Sequence, residues 1–131
     1  MGKAIIITPD PREGPATHPV WVFPQGSRDR PNPYGQLMHL VAARKDAYPL
    51  LYSMTRAVEG PEADFLIPRE RIPNFTGELS SILAEVEKLD GPTATVENPG
   101  TYTELRQALR WLRAIAMNCE KWRFAIMGHG D

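Results

Sequence analysis

The sequence predicts an α+β domain in which a small sheet, built from strands near the two ends of the chain, carries three or so helices on one face. Short apolar, β-branched runs stand near both termini, and helical periodicity fills the middle. Seven of the 13 prolines lie within the first 33 residues and exclude a continuous helix there. We expect one domain over residues 1–131, with a proline-rich strand and loop region over 1–33 and a mainly helical region ending in a strand over 34–131.

Two short strands are predicted in the first region. Residues 4–8 read Ala-Ile-Ile-Ile-Thr, which is typical of a buried strand. Residues 18–23 place the apolar run Val-Trp-Val-Phe between prolines and predict a second strand. Residues 25–33 are polar, charged and proline-containing, and they indicate a surface loop.

The next two segments are predicted as helices. Residues 34–44 fit both a helical and an alternating pattern of apolar residues, and we favour the helix. Residues 48–58 show clear helical spacing of Leu50, Leu51, Met54 and Val58, with a proline that a first turn tolerates. Residues 60–61, Gly-Pro, end this helix, and residues 65–67 form a short apolar segment stopped by a proline.

Two longer helices are predicted in the second half. The third has an apolar stripe from Leu79 to Leu89, Thr76 as its N-cap, and Gly-Pro at residues 91–92 as its end. The last begins with a capping box over residues 101–104, Thr-Tyr-Thr-Glu, and continues an apolar stripe as far as Cys119. Residues 122–127 then predict a strand, followed by a polar tail.

Composition narrows the classes of function. Hydrophobic residues make up 42% and charged residues 24%, as in ordinary globular proteins, and the net charge of −1 argues against a dedicated nucleic-acid binder. The single cysteine fits a reducing compartment. An N-terminal apolar run too short for a signal peptide, and the lack of a long apolar stretch, predict a cytoplasmic protein without a membrane anchor.

No motif in the sequence specifies a reaction, a metal or a cofactor. The three histidines, His18, His39 and His129, lack partners at metal-ligand spacing, and we interpret the pair His129 and Asp131 as part of a polar tail. The phosphate-binding glycine loops and the Gly-x-Ser-x-Gly elbow do not occur. Cys119 lies on an apolar stripe and is predicted as a core residue. We therefore predict no catalytic residue, no metal and no cofactor.

Protein binding is the activity for which the sequence offers candidates. Arg106, Arg110 and Arg113 form a basic stripe on the last helix, beside Trp111, which lies off the apolar stripe. Trp and Arg are favoured anchors of protein interfaces. Glu85 and Glu87 on the preceding helix predict a second, acidic face suited to electrostatic steering. The alternative interpretation is that these charges only solvate the helices.

The order of features from residue 48 onward resembles a known group of proteins. The segments that carry the resemblance are residues 48–51 (Tyr-Pro-Leu-Leu), 64–66 (Asp-Phe-Leu), 78–83 (Glu-Leu-x-x-Ile-Leu), 105–112, 124–126 (Phe-Ala-Ile) and the Gly-Asp ending. They resemble small bacterial immunity proteins of polymorphic-toxin and contact-dependent growth inhibition systems. The ending Gly-His-Gly-Asp departs from the simpler Gly-Asp of that group, and the first 45 residues match no part of it.

The resemblance implies a protein that binds a cognate toxin domain in a stoichiometric complex and neutralises it without turnover. It carries over no interface residue, because the interface is the part that varies among such proteins. The sequence also leaves open a small enzyme or ligand-binding domain whose site has no local motif, a nucleic-acid-binding regulatory module that uses the Arg stripe, and a homo-oligomeric structural protein.

Overall fold

A computed structural model describes residues 4–8, 21–22, 33–56, 65–90 and 102–129 of the chain. In these residues it shows an α+β fold in which helices predominate, as the sequence predicts. The strands are β1 (Ala4–Thr8), β2 (Trp21–Val22), β3 (Phe65–Ile67) and β4 (Ala125–His129). The helices are α1 (Pro33–Ala43), α2 (Pro49–Arg56), α3 (Ile72–Asp90) and α4 (Thr103–Trp122), with a 3₁₀ turn at Arg69–Arg71.

The strands form one antiparallel sheet in the order β2-β1-β4-β3. The first and last of the described strands are therefore its two central strands, and β1 pairs with β4 along its whole length from Ala4 opposite His129 to Thr8 opposite Ala125. This pairing joins the proline-rich first region to the C-terminal strand. The predicted strand at 18–23 is present at Trp21–Val22, and its remaining residues lie outside the described part of the chain.

Helices and sheet share one core. Ile67 of β3 and Ile126 of β4 are paired in the sheet and buried, whereas the neighbouring Leu66 is 48% exposed. The buried apolar cluster draws most of its side chains from the four helices: Tyr34, Leu37, Val41, Leu51, Met54, Ile72, Phe75, Leu79, Ile82, Leu83, Val86, Leu105, Leu109, Leu112, Ala116 and Cys119. Burying this much apolar surface is the main favourable contribution to folding. None of the described helices is long and apolar enough to cross a membrane.

The structure corrects two predicted boundaries and adds one strand. Helix α3 begins at Ile72, so Thr76 is not its N-cap but lies inside it, where its hydroxyl donates to the Ile72 carbonyl at 3.0 Å. The early start is possible because Pro73 falls in the first turn, where its missing N–H has no intrahelical partner to lose. Trp122, predicted in the last strand, is the final residue of α4. The segment Phe65–Ile67, to which no element was assigned, is strand β3.

The N-cap of α4 can be compared with the predicted capping box. Tyr102 occupies the N-cap, and its backbone N–H donates to Oδ1 of Asp90 at the end of α3, at 2.8 Å. This bond joins the two ends of the α3–α4 connection. The predicted capping box, which puts Thr101 at the N-cap, is therefore wrong in its register: the helix begins one residue later, and Tyr102 makes no side-chain capping bond.

Candidate protein-binding site

Helix α4 presents one side to the core and the opposite side to solvent. Its amphipathic pattern buries the stripe from Leu105 to Cys119 against α3, α1 and the sheet. The solvent side, which we call the outer face of α4, consists of these exposed residues: Gln107, Arg110, Trp111, Ala114, Met117, Asn118, Glu120, Lys121 and Trp122. None of these side chains belongs to the buried apolar cluster.

Two tryptophans stand on the outer face. Trp111 and Trp122 are each 63% exposed. They are eleven residues apart, which is close to three helical turns, so both side chains lie on one side of α4 and about 16 Å apart along its axis. The helix between them carries the small side chain of Ala114 and the polar side chain of Asn118. Two indoles on one rigid element can each fill an apolar pocket of a partner.

Cations accompany both tryptophans. Arg110 precedes Trp111, and Lys121 and Arg123 flank Trp122. The Lys121 ammonium lies 5.5 Å from the centroid of the Trp122 ring, within the range of a cation–π interaction. This contact keeps a positive charge next to an exposed indole.

Two members of the predicted basic and acidic faces form an ion pair. Nη2 of Arg110 donates to Oε1 of Glu87 at 3.1 Å, linking α4 to α3. Glu87 and Arg110 therefore do not belong to two separate charged faces, as the sequence suggested, but neutralise each other at the edge of the outer face.

Glu85, the other predicted acidic site residue, is bound inside the fold. Its carboxylate pairs with Arg44, which follows α1, and accepts a hydrogen bond of 2.7 Å from the Tyr48 hydroxyl. The side chain of Glu85 is only partly exposed. This network ties α3 to the α1–α2 connection. Glu85 is accounted for by a structural role.

Glu78, on the same helix, caps α2. Its Oε1 accepts hydrogen bonds from the backbone N–H groups of Leu50 and Leu51, both at 3.0 Å, which are in the first turn of α2. A helix N-terminus carries unsatisfied donors and a partial positive charge, so a carboxylate at this position stabilises it. Burial raises the pKa of Glu78, while the bonds from Leu51 and Leu50 and the charge of Arg71 act to lower it.

The remaining predicted site residues lie at the side of α4. Arg106 and Arg113 are both partly exposed, and within the described residues neither forms an ion pair. The structure thus brings Arg110 and Trp111 together on the outer face and places Arg106 and Arg113 beside it. Trp122 was missed by the sequence analysis because it was assigned to a strand. Its spacing of eleven residues from Trp111 is the signal that would have found it.

The described residues contain no group of three or more His, Cys, Asp or Glu side chains placed to hold a metal ion. His39 is exposed on α1, while His18 lies outside the described residues and so does the tail after His129. Cys119 is buried, as its place on the apolar stripe predicts.

Comparison of the chain with models of protein families, with curated proteins and with solved structures finds no match.

Proposed function

We propose that this chain is an immunity protein that acts in the cytoplasm, binds a cognate bacterial toxin domain in a stoichiometric complex and neutralises it. The observation that carries the proposal is the exposure of Trp111 and Trp122 on one side of a helix whose opposite side is fixed in the core. An exposed indole keeps a large apolar surface in water, so covering it with a partner is favourable.

The physical requirement for such a protein is tight binding without turnover. Affinity comes from a few aromatic and Arg anchors on a preorganised surface, since a rigid surface loses little conformational entropy on association. The outer face of α4 meets this requirement: it lies on a helix of 20 residues that packs along α3. A helical layer on one face of the sheet, as the sequence predicts, would hold this helix in place. No catalytic group is needed for inhibition by occlusion.

The experiment that tests the proposal has two parts. The tagged full chain is recovered from its own cells at moderate salt, and co-purifying proteins are identified by mass spectrometry. The partner is then expressed in a sensitive host with and without this chain. We expect a one-to-one complex and restored growth. A partner whose toxicity is unchanged by this chain would refute the proposal.

Variants locate the interface. Trp111→Ala should weaken complex formation and protection by about tenfold or more, as removal of an interface anchor does. Leu89→Ala is the matched control, because Leu89 is also a large exposed apolar side chain, 56% exposed, but lies on α3. If both variants protect equally well, the outer face of α4 is not the interface.

A further inference from the structure

From the charges around the two tryptophans we infer the chemistry of the partner: an acidic protein surface with two apolar recesses spaced to receive Trp111 and Trp122. The inference rests on the proposed function, because it describes the partner that the outer face of α4 would bind. Its basis is that the carboxylates of α3 have partners within the protein, whereas most cations of α4 have no carboxylate partner among the described residues.

Three acidic side chains of α3 bind other groups of the protein. Glu78 caps α2, Glu85 binds Arg44 and Tyr48, and Glu87 binds Arg110. None of these three carboxylates is left to attract a basic partner. The acidic face that the sequence predicted on α3 is therefore not a docking surface of its own.

In the part of the chain that the structure describes, few of the Lys and Arg side chains of α4 pair with a carboxylate. From Thr103 to Arg123 the chain carries five Lys and Arg residues against two Glu residues, although the whole protein has a net charge of −1. Of these five cations, Glu87 pairs with Arg110 alone. The outer face and its edges thus form a positively charged region that also carries the two indoles, and a complementary surface would combine acidic groups with apolar contacts.

A second copy of this chain is a poor occupant of the same face. In a two-fold symmetric dimer the same surface meets itself, so the cations near Trp122 would face cations of the partner subunit. Like charges brought together at an interface oppose association. The charge pattern therefore favours a different, acidic chain.

Nucleic acid is also disfavoured as the occupant. Exposed aromatic rings beside cations can stack on bases. Here, however, the chain as a whole has a net charge of −1, whereas a dedicated nucleic-acid binder shows a clear basic excess. The surface fits a protein better than a polyanion, and the test below separates the two.

The test is selection of peptides from an unbiased display library on the immobilised full chain. We expect enriched sequences that combine Asp or Glu with two apolar side chains three helical turns apart, and binding that weakens as salt is added. Affinity for a synthetic peptide of the enriched sequence should fall about tenfold or more in Trp111→Ala and in Trp122→Ala. Lys121→Glu should weaken it, while the charge-matched control Lys45→Glu, exposed between α1 and α2, should not.

Three outcomes would overturn the inference: enrichment of neutral or basic peptides, no enrichment above that on a variant lacking both tryptophans, or tighter retention of a single-stranded oligonucleotide than of any peptide. The growth-protection experiment is independent of this selection. A chain that selects acidic peptides but protects no cell would refute the proposed function alone. A chain that protects cells but selects basic peptides would refute only the acidic partner.

Discussion

Glu87 of α3 and Arg110 of α4 form an ion pair of 3.1 Å across the two longest helices of the described structure. Their side chains are 45% and 55% exposed. At such exposure water and salt screen the attraction, and ordering two long side chains costs entropy. The pair therefore contributes little to stability, although it decides how much positive charge α4 presents.

We predict a small coupling energy for this pair. A double-mutant cycle with Glu87→Gln and Arg110→Gln, measured by urea denaturation, should give about 0.2–1 kcal/mol, decreasing as salt is added. The variant Glu87→Gln should also bind the acidic peptide more tightly than the wild-type chain, because it releases Arg110. A coupling of several kcal/mol, or one insensitive to salt, would contradict this account.

Glu78 should contribute more to stability than Glu87, although both belong to α3. Glu78→Ala leaves the N–H groups of Leu50 and Leu51 without their acceptor and should cost about 1–2 kcal/mol in the free energy of unfolding. Glu78→Gln keeps an amide oxygen at the position of Oε1, which accepts both bonds, and should cost less. Chemical denaturation of the two variants checks this order, with Glu87→Ala as the surface control. Equal losses in all three would show that α2 needs no cap.

The pH dependence of the Glu78 contribution has a definite sign. Because burial raises its pKa above the ordinary value of 4.5, the native state takes up this proton at a higher pH than the unfolded chain does. As the pH falls from neutrality towards 4.5, the wild-type protein should therefore gain stability relative to Glu78→Gln, which cannot titrate. Urea denaturation of both proteins across this range measures the difference. A relative loss of wild-type stability would reverse the sign and contradict the shift.

Arg123 ends α4 in a conformation that glycine adopts more readily. Its φ is 58° and its ψ 44°, and the N–H of the next residue, Phe124, donates to the Cys119 carbonyl at 2.9 Å. A residue with a Cβ is strained in this left-handed region. Arg123→Gly should raise the free energy of unfolding by about 0.5–1 kcal/mol, and Arg123→Val should lower it. Thermal denaturation of the three proteins tests the order, and a less stable glycine variant would refute it.

The sequence predicts the elements that depend on local periodicity better than those that depend on contacts between distant parts of the chain. The pattern of apolar residues in α1 also allows a strand. Local periodicity is sufficient for α2 and α4, because each has a stripe that one helix face can bury. It fails at the end of α4, where Trp122 and Phe124 read as one apolar strand although Arg123 turns the chain between them. Strand β3 is too short to show a period, and it exists because β4 pairs with it.

The candidate site also depends on contacts that the local sequence pattern does not predict. The exposure of Trp111 follows from its place off the apolar stripe of α4. The partners of Glu78, Glu85 and Glu87 do not follow from spacing, since they lie 23 to 41 residues away in the chain. Only the packing of α3 against its neighbours shows that Glu78 and Glu85 bind groups within the fold, that Glu87 pairs with Arg110, and that the charge left on α4 is mainly positive.

Cys119 provides a test of how tightly α4 is packed. The residue is 1% exposed, and burial raises the pKa of its thiol to about 11 from the ordinary 9.0. Since the thiolate is the reactive form, we expect Cys119 to react with a disulfide reagent at pH 8 far more slowly in the native protein than in denaturant. As the pH rises from 9.0 towards 11, the unfolded thiol ionises before the native one, so the wild-type protein should lose stability relative to Cys119→Ala. Reaction rates in native buffer and in urea, together with denaturation of both proteins at the two ends of this range, measure these effects. Rapid labelling of the native protein at pH 8 would mean that the inner side of α4 is open to solvent, and the separation of its outer face from the core would then be wrong.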